Sequence, residues 1–205
     1  PQIPIFYNFL GSSLEKKNNI YDAEFIYTKS LEIDPKNSFA LVNLARISRL
    51  INDYQRSDEL LKRALDLEPE NLFAQLNLGE LKIEQNKFEE AISIFEKIYK
   101  KNENFQNIVM RLGNTYSIIG EFQKAEEYFS IASKKTPELF AADYRISNII
   151  NYSERKDHQK LLLEKLNNTK FDKLNKYPLL FALAKSYEDQ KNYEEAFKFI
   201  EMANK

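Results

Sequence analysis

Few residues of this chain are of types that carry out chemistry, and their spacing limits the chemistry open to them. Acidic pairs recur at Glu89-Glu90, Glu126-Glu127 and Glu194-Glu195. Neighbours on a helix point about 100° apart, so such carboxylates do not converge on one bond as acid and base. Early in a helix their charge instead favours the N-terminal end of the dipole. His158, between Asp157 and Gln159, is the one histidine, and no Cys exists to join it as a metal ligand or nucleophile. Gly113 and Gly120 stand alone, outside any strand-turn-helix pattern, so no phosphate-cradling loop is expected. Asn151-Tyr152-Ser153 and Asn167-Asn168-Thr169 fit the glycosylation acceptor pattern, which an Asn-rich chain produces by chance. No catalytic residue, metal site or cofactor is expected, and the chain reads as a non-enzyme.

Composition points the same way. The 205 residues carry 30 basic and 31 acidic side chains, a net charge of −1. Phosphate neutralisation needs an excess of Lys and Arg, so nucleic acid is excluded as a partner. With no Cys there are no disulfides and no thiolate zinc sites. No apolar run approaches the roughly 18–20 residues that a membrane helix requires. A hydrophobic share of 43% and an aromatic share of 13% oppose disorder. Four Gly and six Pro suit long helices with short connections.

The scarce residues reveal how those helices are organised. Gly11, Gly79 and Gly113 are spaced by 68 and 34 residues, and so are Ala23, Ala91 and Ala125. Pro35, Pro69 and Pro137 are spaced by 34 and 68, and Ala64 and Ala132 by 68. One period of 34 therefore runs through the chain, giving repeats 4–37, 38–71, 72–105 and 106–139. A degenerate copy over 140–176 and a last one over 177–205 follow, with three extra residues in the Asn167–Lys176 connection. In the fourth copy, apolar residues recur at helical spacing at Ile108, Leu112, Tyr116 and Ile119, then at Phe122, Ala125, Phe129 and Ala132. This predicts one helix over 106–119 and a second over 122–135. Gly113 and Ala125 sit where two helices approach closely, and Tyr116 and Phe129 fill the space beside them. Pro137 stops the second helix. The turns inside repeats are short and polar (Asn18-Asn19, Asn52-Asp53, Asn86-Lys87, Gly120-Glu121), and Asn86 with Glu89 reads as a helix N-cap with its reciprocal partner. In the degenerate copy, helices are predicted over 140–152 and 157–167, with Gln159 in place of the usual small residue.

This pattern resembles the tetratricopeptide repeat, whose Leu-Gly, Tyr, Ala, Phe, Ala and Pro positions Leu112-Gly113, Tyr116, Ala125, Phe129, Ala132 and Pro137 match. The resemblance implies an all-α fold, a right-handed superhelical solenoid of about six helix-turn-helix repeats spanning 1–205 as a single array. It also implies a concave groove lined by the first helix of each repeat. The family's ligand-facing places read Phe39, Val42, Asn43, Arg46 and Arg49 in the second repeat, and Phe73, Leu76, Asn77 and Glu80 in the third. They read Met110, Arg111 and Asn114 in the fourth, and Tyr144, Arg145 and Asn148 in the fifth. The implied partner is a protein or peptide: apolar pockets for its side chains, amides for its backbone, guanidinium forks for its carboxylates. Packing of neighbouring helices explains Val42, Leu76 and Met110 equally well, and a solvated face explains the arginines. Of the carboxylate-clamp residues found in chaperone-binding members, only Asn77 and Arg111 match. Asn43 and Asn77 instead resemble the asparagine ladder of O-linked N-acetylglucosamine transferases.

The stretch Leu161-Leu162-Leu163-Glu164, with Leu180 to Asp189 and then Tyr193, Ala196-Phe197 and Ala203-Asn204, resembles the repeats that precede the catalytic domain of bacterial sulfotransferase-family proteins. The alternative function is thus the non-catalytic arm of a transferase whose catalytic domain follows residue 205. Phe197 and Ile200 lie in the last helix with no later helix to cover them, so a longer chain or self-association at that edge is expected. The start at Pro1 leaves the compartment open, with the cytoplasm favoured.

Overall fold

The computed structural model describes residues 3–102, 105–138, 140–168 and 176–204, and among these all regular secondary structure is helical. Helices pair in sequence: α1 (Pro4–Lys16) with α2 (Ile20–Ile33), α3 (Ser38–Leu50) with α4 (Tyr54–Leu67), and α5 (Leu72–Glu84) with α6 (Phe88–Lys101). These occupy one compact unit, Pro1–Lys101, and a second, Asn102–Lys205, holds the rest. There α7 (Gln106–Ile118) pairs with α8 (Phe122–Lys135), and α11 (Tyr177–Asp189) with α12 (Tyr193–Ala203), while α9 (Ala141–Ser147) and α10 (Asp157–Asn167) lie between them in sequence. The fold class is the all-α one that the repeat pattern predicts.

The turn inside each pair is built one way. The backbone takes a left-handed conformation at Asn18 (φ 58°), Asn52 (63°), Asn86 (58°), Gly120 (82°) and Lys191 (60°). The next residue's N–H reaches back five places: Asn19 N to Leu14 O at 2.9 Å, Asp53 N to Ser48 O at 2.8 Å, Lys87 N to Lys82 O at 2.8 Å. This is the Schellman closure, which satisfies the last carbonyls of the first helix and reverses the chain within two residues. Asn tolerates the left-handed region better than most side chains, which explains its recurrence here. Asn86 is therefore not an N-cap. It closes α5, donating its N–H to Ile83 O at 2.9 Å, and α6 starts two residues later. Side-chain caps are supplied instead by Asn37 to Ala40 N at 3.2 Å, Asp53 to Arg56 N at 3.1 Å, and Asn71 to Ala74 N at 3.0 Å. Pro35, Pro69 and Pro137 each stand two residues past a second helix and block its continuation.

The paired helices meet through glycine. A Cβ at Gly11 would lie 2.5 Å from the Tyr27 ring, one at Gly79 2.2 Å from Phe95, and one at Gly113 2.5 Å from Phe129. Each aromatic is fully buried, and so are Ala23, Ala91 and Ala125 on the facing helices. In the second repeat both partners change together, to Ala45 and Leu61 in one buried cluster. Ile98, where the pattern expects Ala, is also buried.

The second unit departs from the pattern in its degenerate copy. The helix expected over 140–152 ends at Ser147, because the chain turns there to bury Tyr152 completely. The Tyr152 N–H donates to Asp189 Oδ2 at 3.2 Å, and the Tyr152 hydroxyl meets His158 Nδ1 at 2.6 Å. α9 packs on α8 and α11, and α10 on α11. The insertion expected between Asn167 and Lys176 lies outside the described residues. Gln159 donates to Ser186 Oγ at 3.0 Å and accepts from Gln190 Nε2 at 2.9 Å, so a polar pair stands where small residues nest elsewhere.

Asp143, which the repeat pattern leaves unremarked, is fully buried among these groups. Lys165 Nζ donates to its Oδ2 at 2.7 Å and Ser133 Oγ to its Oδ1 at 2.7 Å, and His158 Nε2 faces it at 3.7 Å. Burial alone pushes this carboxyl up. The polar groups of His158, Lys165 and Ser133, together with the charge of Lys165, outweigh that and hold it below the usual carboxylate range. His158 thus belongs to a closed packing cluster rather than to a site that a substrate reaches.

These contacts predict thermal and acid behaviour. Gly79→Ala forces the Phe95 ring to shift and should cost about 1–3 kcal/mol in thermal denaturation. Gly120→Asn, in a conformation that Asn already adopts in three sister turns, should stay within about 0.5 kcal/mol of the parent. Equal melting of the Gly79→Ala variant and the parent would contradict the close packing. Lys165→Met leaves Asp143 buried without its partner and should cost about 3–5 kcal/mol, most of which Asp143→Leu in the same chain restores. Because the folded carboxyl is depressed, its contribution is complete above its unfolded value near 4 and fades as pH falls through the folded value. Acid unfolding followed by circular dichroism should lose this dependence in Asp143→Asn.

Candidate functional site

The first unit carries a cleft of about 560 Å³ between α3 and α5. Six of the residues expected to face a ligand line it: Phe39, Val42, Asn43 and Arg46 on α3, Phe73 and Asn77 on α5. Ser38, Glu68 and Asn71, which were not expected, complete the wall. They sit at helix starts and in the connection between pairs, where the recurrent Asn37 and Asn71 caps are the only signal that the sequence offers.

The two phenyl rings give the cleft its apolar surface. Phe39 is 48% exposed and Phe73 69%, one repeat apart on successive first helices. Tyr27 supports the Phe39 ring edge-on, with centroids 6.3 Å apart. Val42 forms the floor and is also part of the core, so packing and lining are one role for it. The two asparagines are arranged alike. Asn43 Nδ2 donates to Phe39 O at 2.9 Å, and Asn77 Nδ2 to Phe73 O at 2.8 Å. A carbonyl only accepts, so each amide is oriented with its Oδ1 turned away from its own helix.

The arginines have partners within the chain. Arg46 pairs with Glu15 of α1, and Arg49 with Glu84 of α5, each tying neighbouring first helices together. Burial, together with the nearby charge of Arg49, lowers the Arg46 guanidinium from its ordinary value. Glu68 accepts from Asn71 Nδ2 at 2.7 Å on the rim.

The remaining expected residues lie elsewhere. Leu76 is buried in α5, while Glu80 is half-buried outside the lining. Met110, Arg111 and Asn114 are on α7, Tyr144 and Arg145 on α9, and Asn148 just beyond it, all in the second unit. Tyr144 packs against a core cluster there, and Arg145 and Asn148 are exposed. Among the described residues no group of three or more His, Asp or Glu side chains could hold a metal ion. No described helix is long and apolar enough to cross a membrane.

Comparison with known proteins places these features. Three family models, each described as tetratricopeptide repeat, match residues 52–98, residues 26–59, and residues 5–37 with 177–204. The resemblance of the C-terminal stretch to sulfotransferase-associated repeats finds no support in them. No curated protein matches the chain. Among solved structures, one from the functional characterization of Pseudomonas aeruginosa pilF is 18% identical with a TM-score of 0.74, over 96% of this chain and 88% of that one. The type IV pilus biogenesis factor PilW is 17% identical with a TM-score of 0.76, over 97% and 91%. YrrB, described as a repeat protein with an unusual peptide-binding site, is 18% identical with a TM-score of 0.60, over 98% and 93%. At these identities the likeness is one of fold.

Proposed function

From the premise that the chain belongs to the tetratricopeptide-repeat family, matched by its models over residues 5–98 and 177–204, we propose that it is a protein-interaction scaffold whose α3–α5 cleft binds an extended segment of a partner. The carrying observation is the pair of exposed phenyl rings, Phe39 and Phe73, over a cleft of about 560 Å³ with two asparagine amides alongside. Exposed aromatic rings next to oriented polar groups are what extended-peptide grooves use: rings for side chains, amides for backbone. The peptide-binding site named for YrrB, a fold relative, is in keeping with this reading. Nothing in the cleft favours the transferase-arm alternative. Self-association is a separate mode, for which the 66% exposure of Phe197 on α12 is the supporting feature; light scattering that shows the monomer mass at all concentrations would overturn it.

The groove is tested by panning a displayed random peptide library on the whole chain and measuring recovered peptides by fluorescence polarisation. Phe39→Ala and Phe73→Ala should each weaken binding about tenfold or more, the cost of truncating an interface anchor. Both rings are exposed, so the variants should melt like the parent. Peptides that bind both variants as tightly as the parent would place recognition elsewhere.

A further inference from the structure

We propose that this groove selects an internal, basic segment of its partner and rejects an acidic C-terminus. The inference rests on the groove reading above and adds the chemistry of the occupant.

The charges in the cleft carry it. Among the described residues Arg46 is the one cationic side chain in the lining, and Glu15 already occupies its guanidinium. That pair is sheltered, with side-chain exposures of 30% and 14%, and the second oxygen of Glu15, Oε1, is buried without a hydrogen-bond partner. A ligand carboxylate taking Arg46 would strand a buried glutamate, which opposes the exchange. Arg49 is held in the same way by Glu84. With Arg46 and Glu15 cancelling, the remaining charge of the wall is the carboxylate of Glu68, which attracts Lys or Arg and repels a terminal carboxylate.

The amides agree. Asn43 and Asn77 each give one side-chain N–H to Phe39 O and Phe73 O, which leaves an Oδ1 acceptor and a second N–H on each amide. Amides one repeat apart, each with an acceptor and a remaining donor, suit the N–H and C=O groups of an extended backbone. The occupant therefore runs through the groove rather than ending in it. It seats apolar side chains on Phe39 and Phe73 and sets a cation against Glu68.

The test pans two random dodecapeptide libraries on the whole chain, one fused at both peptide ends and one ending in a free carboxylate, with counter-selection on Phe39→Ala/Phe73→Ala. The first library should enrich peptides with two apolar side chains and a Lys or Arg, and the second should show no gain from its terminus. In fluorescence polarisation, Glu68→Lys should weaken the enriched, amidated peptides about tenfold, since it replaces an attraction by a repulsion. Glu15→Gln leaves the charge of Arg46 uncancelled and should strengthen binding of a synthetic peptide ending in Glu-Asp-carboxylate about tenfold, while weakening the basic amidated peptides. Melting curves confirm that each variant is folded. Enrichment of acidic C-termini on the parent chain, or indifference of the amidated peptides to Glu68→Lys, would overturn the charge selection while leaving a working groove. Libraries that fail to distinguish the parent from the double phenylalanine variant would remove the groove itself, and this inference with it.

Discussion

The contact on which this chain depends is that of a bare glycine on an aromatic ring. Gly11, Gly79 and Gly113 let the first helix of a pair lie against Tyr27, Phe95 and Phe129 of the second, closer than any side chain would allow. Each ring stands sixteen residues after its glycine. That offset suits two helices joined by a three-residue connection in which one residue takes the left-handed conformation. The tight turn and the tight packing require each other. A longer turn would misplace the ring, and a larger residue at the glycine would splay the helices that the turn holds.

Once the pair is locked, what each first helix shows outward follows from helical geometry. The face opposite the glycine recurs at the repeat period, which is why Phe39 and Asn43 on α3 return as Phe73 and Asn77 on α5 in one geometry. The cleft is a by-product of a packing rule, decorated by residues that the rule leaves free. The degenerate copy shows what happens when the rule lapses. Without its small residues it is held by Asp143, Lys165, Ser133 and Gln159 through buried hydrogen bonds. Such an arrangement is demanding, since every member needs its partner, and it is correspondingly specific to one local geometry.

This difference explains what was legible in the sequence. Helix bounds in the fourth copy could be read to within a residue, because small residues, aromatics and prolines report packing directly. α9 ended early because its end is set by the burial of Tyr152, a tertiary effect that periodicity does not register. Asn86 misled because the same residue suits an N-cap and a left-handed turn, and only the register of the preceding helix separates them. In the cleft, the residues on α3 and α5 were readable from their places in the repeat. Ser38, Glu68 and Asn71 were not, since they lie at the first residue of α3 and in the connection before α5. The glutamate partners of Arg46 and Arg49 are 31 and 35 residues away, distances that make sense only once neighbouring repeats are stacked.

Those pairings bear on how a scaffold of this kind sets its specificity. A list of groove residues makes the two arginines look like carboxylate receptors, and the side chains that neutralise them stand outside the cleft on α1 and at the end of α5. The charge that a ligand meets is therefore a property of pairs bridging adjacent repeats. In the proposed groove, a substitution at position 15, outside the lining, alters the charge of the wall without disturbing the floor that Val42 and the core share. Glycine and aromatic hold the pair from within, which leaves exposed positions of the first helices such as Phe39 and Phe73 free to vary, whereas Val42 is bound to the core.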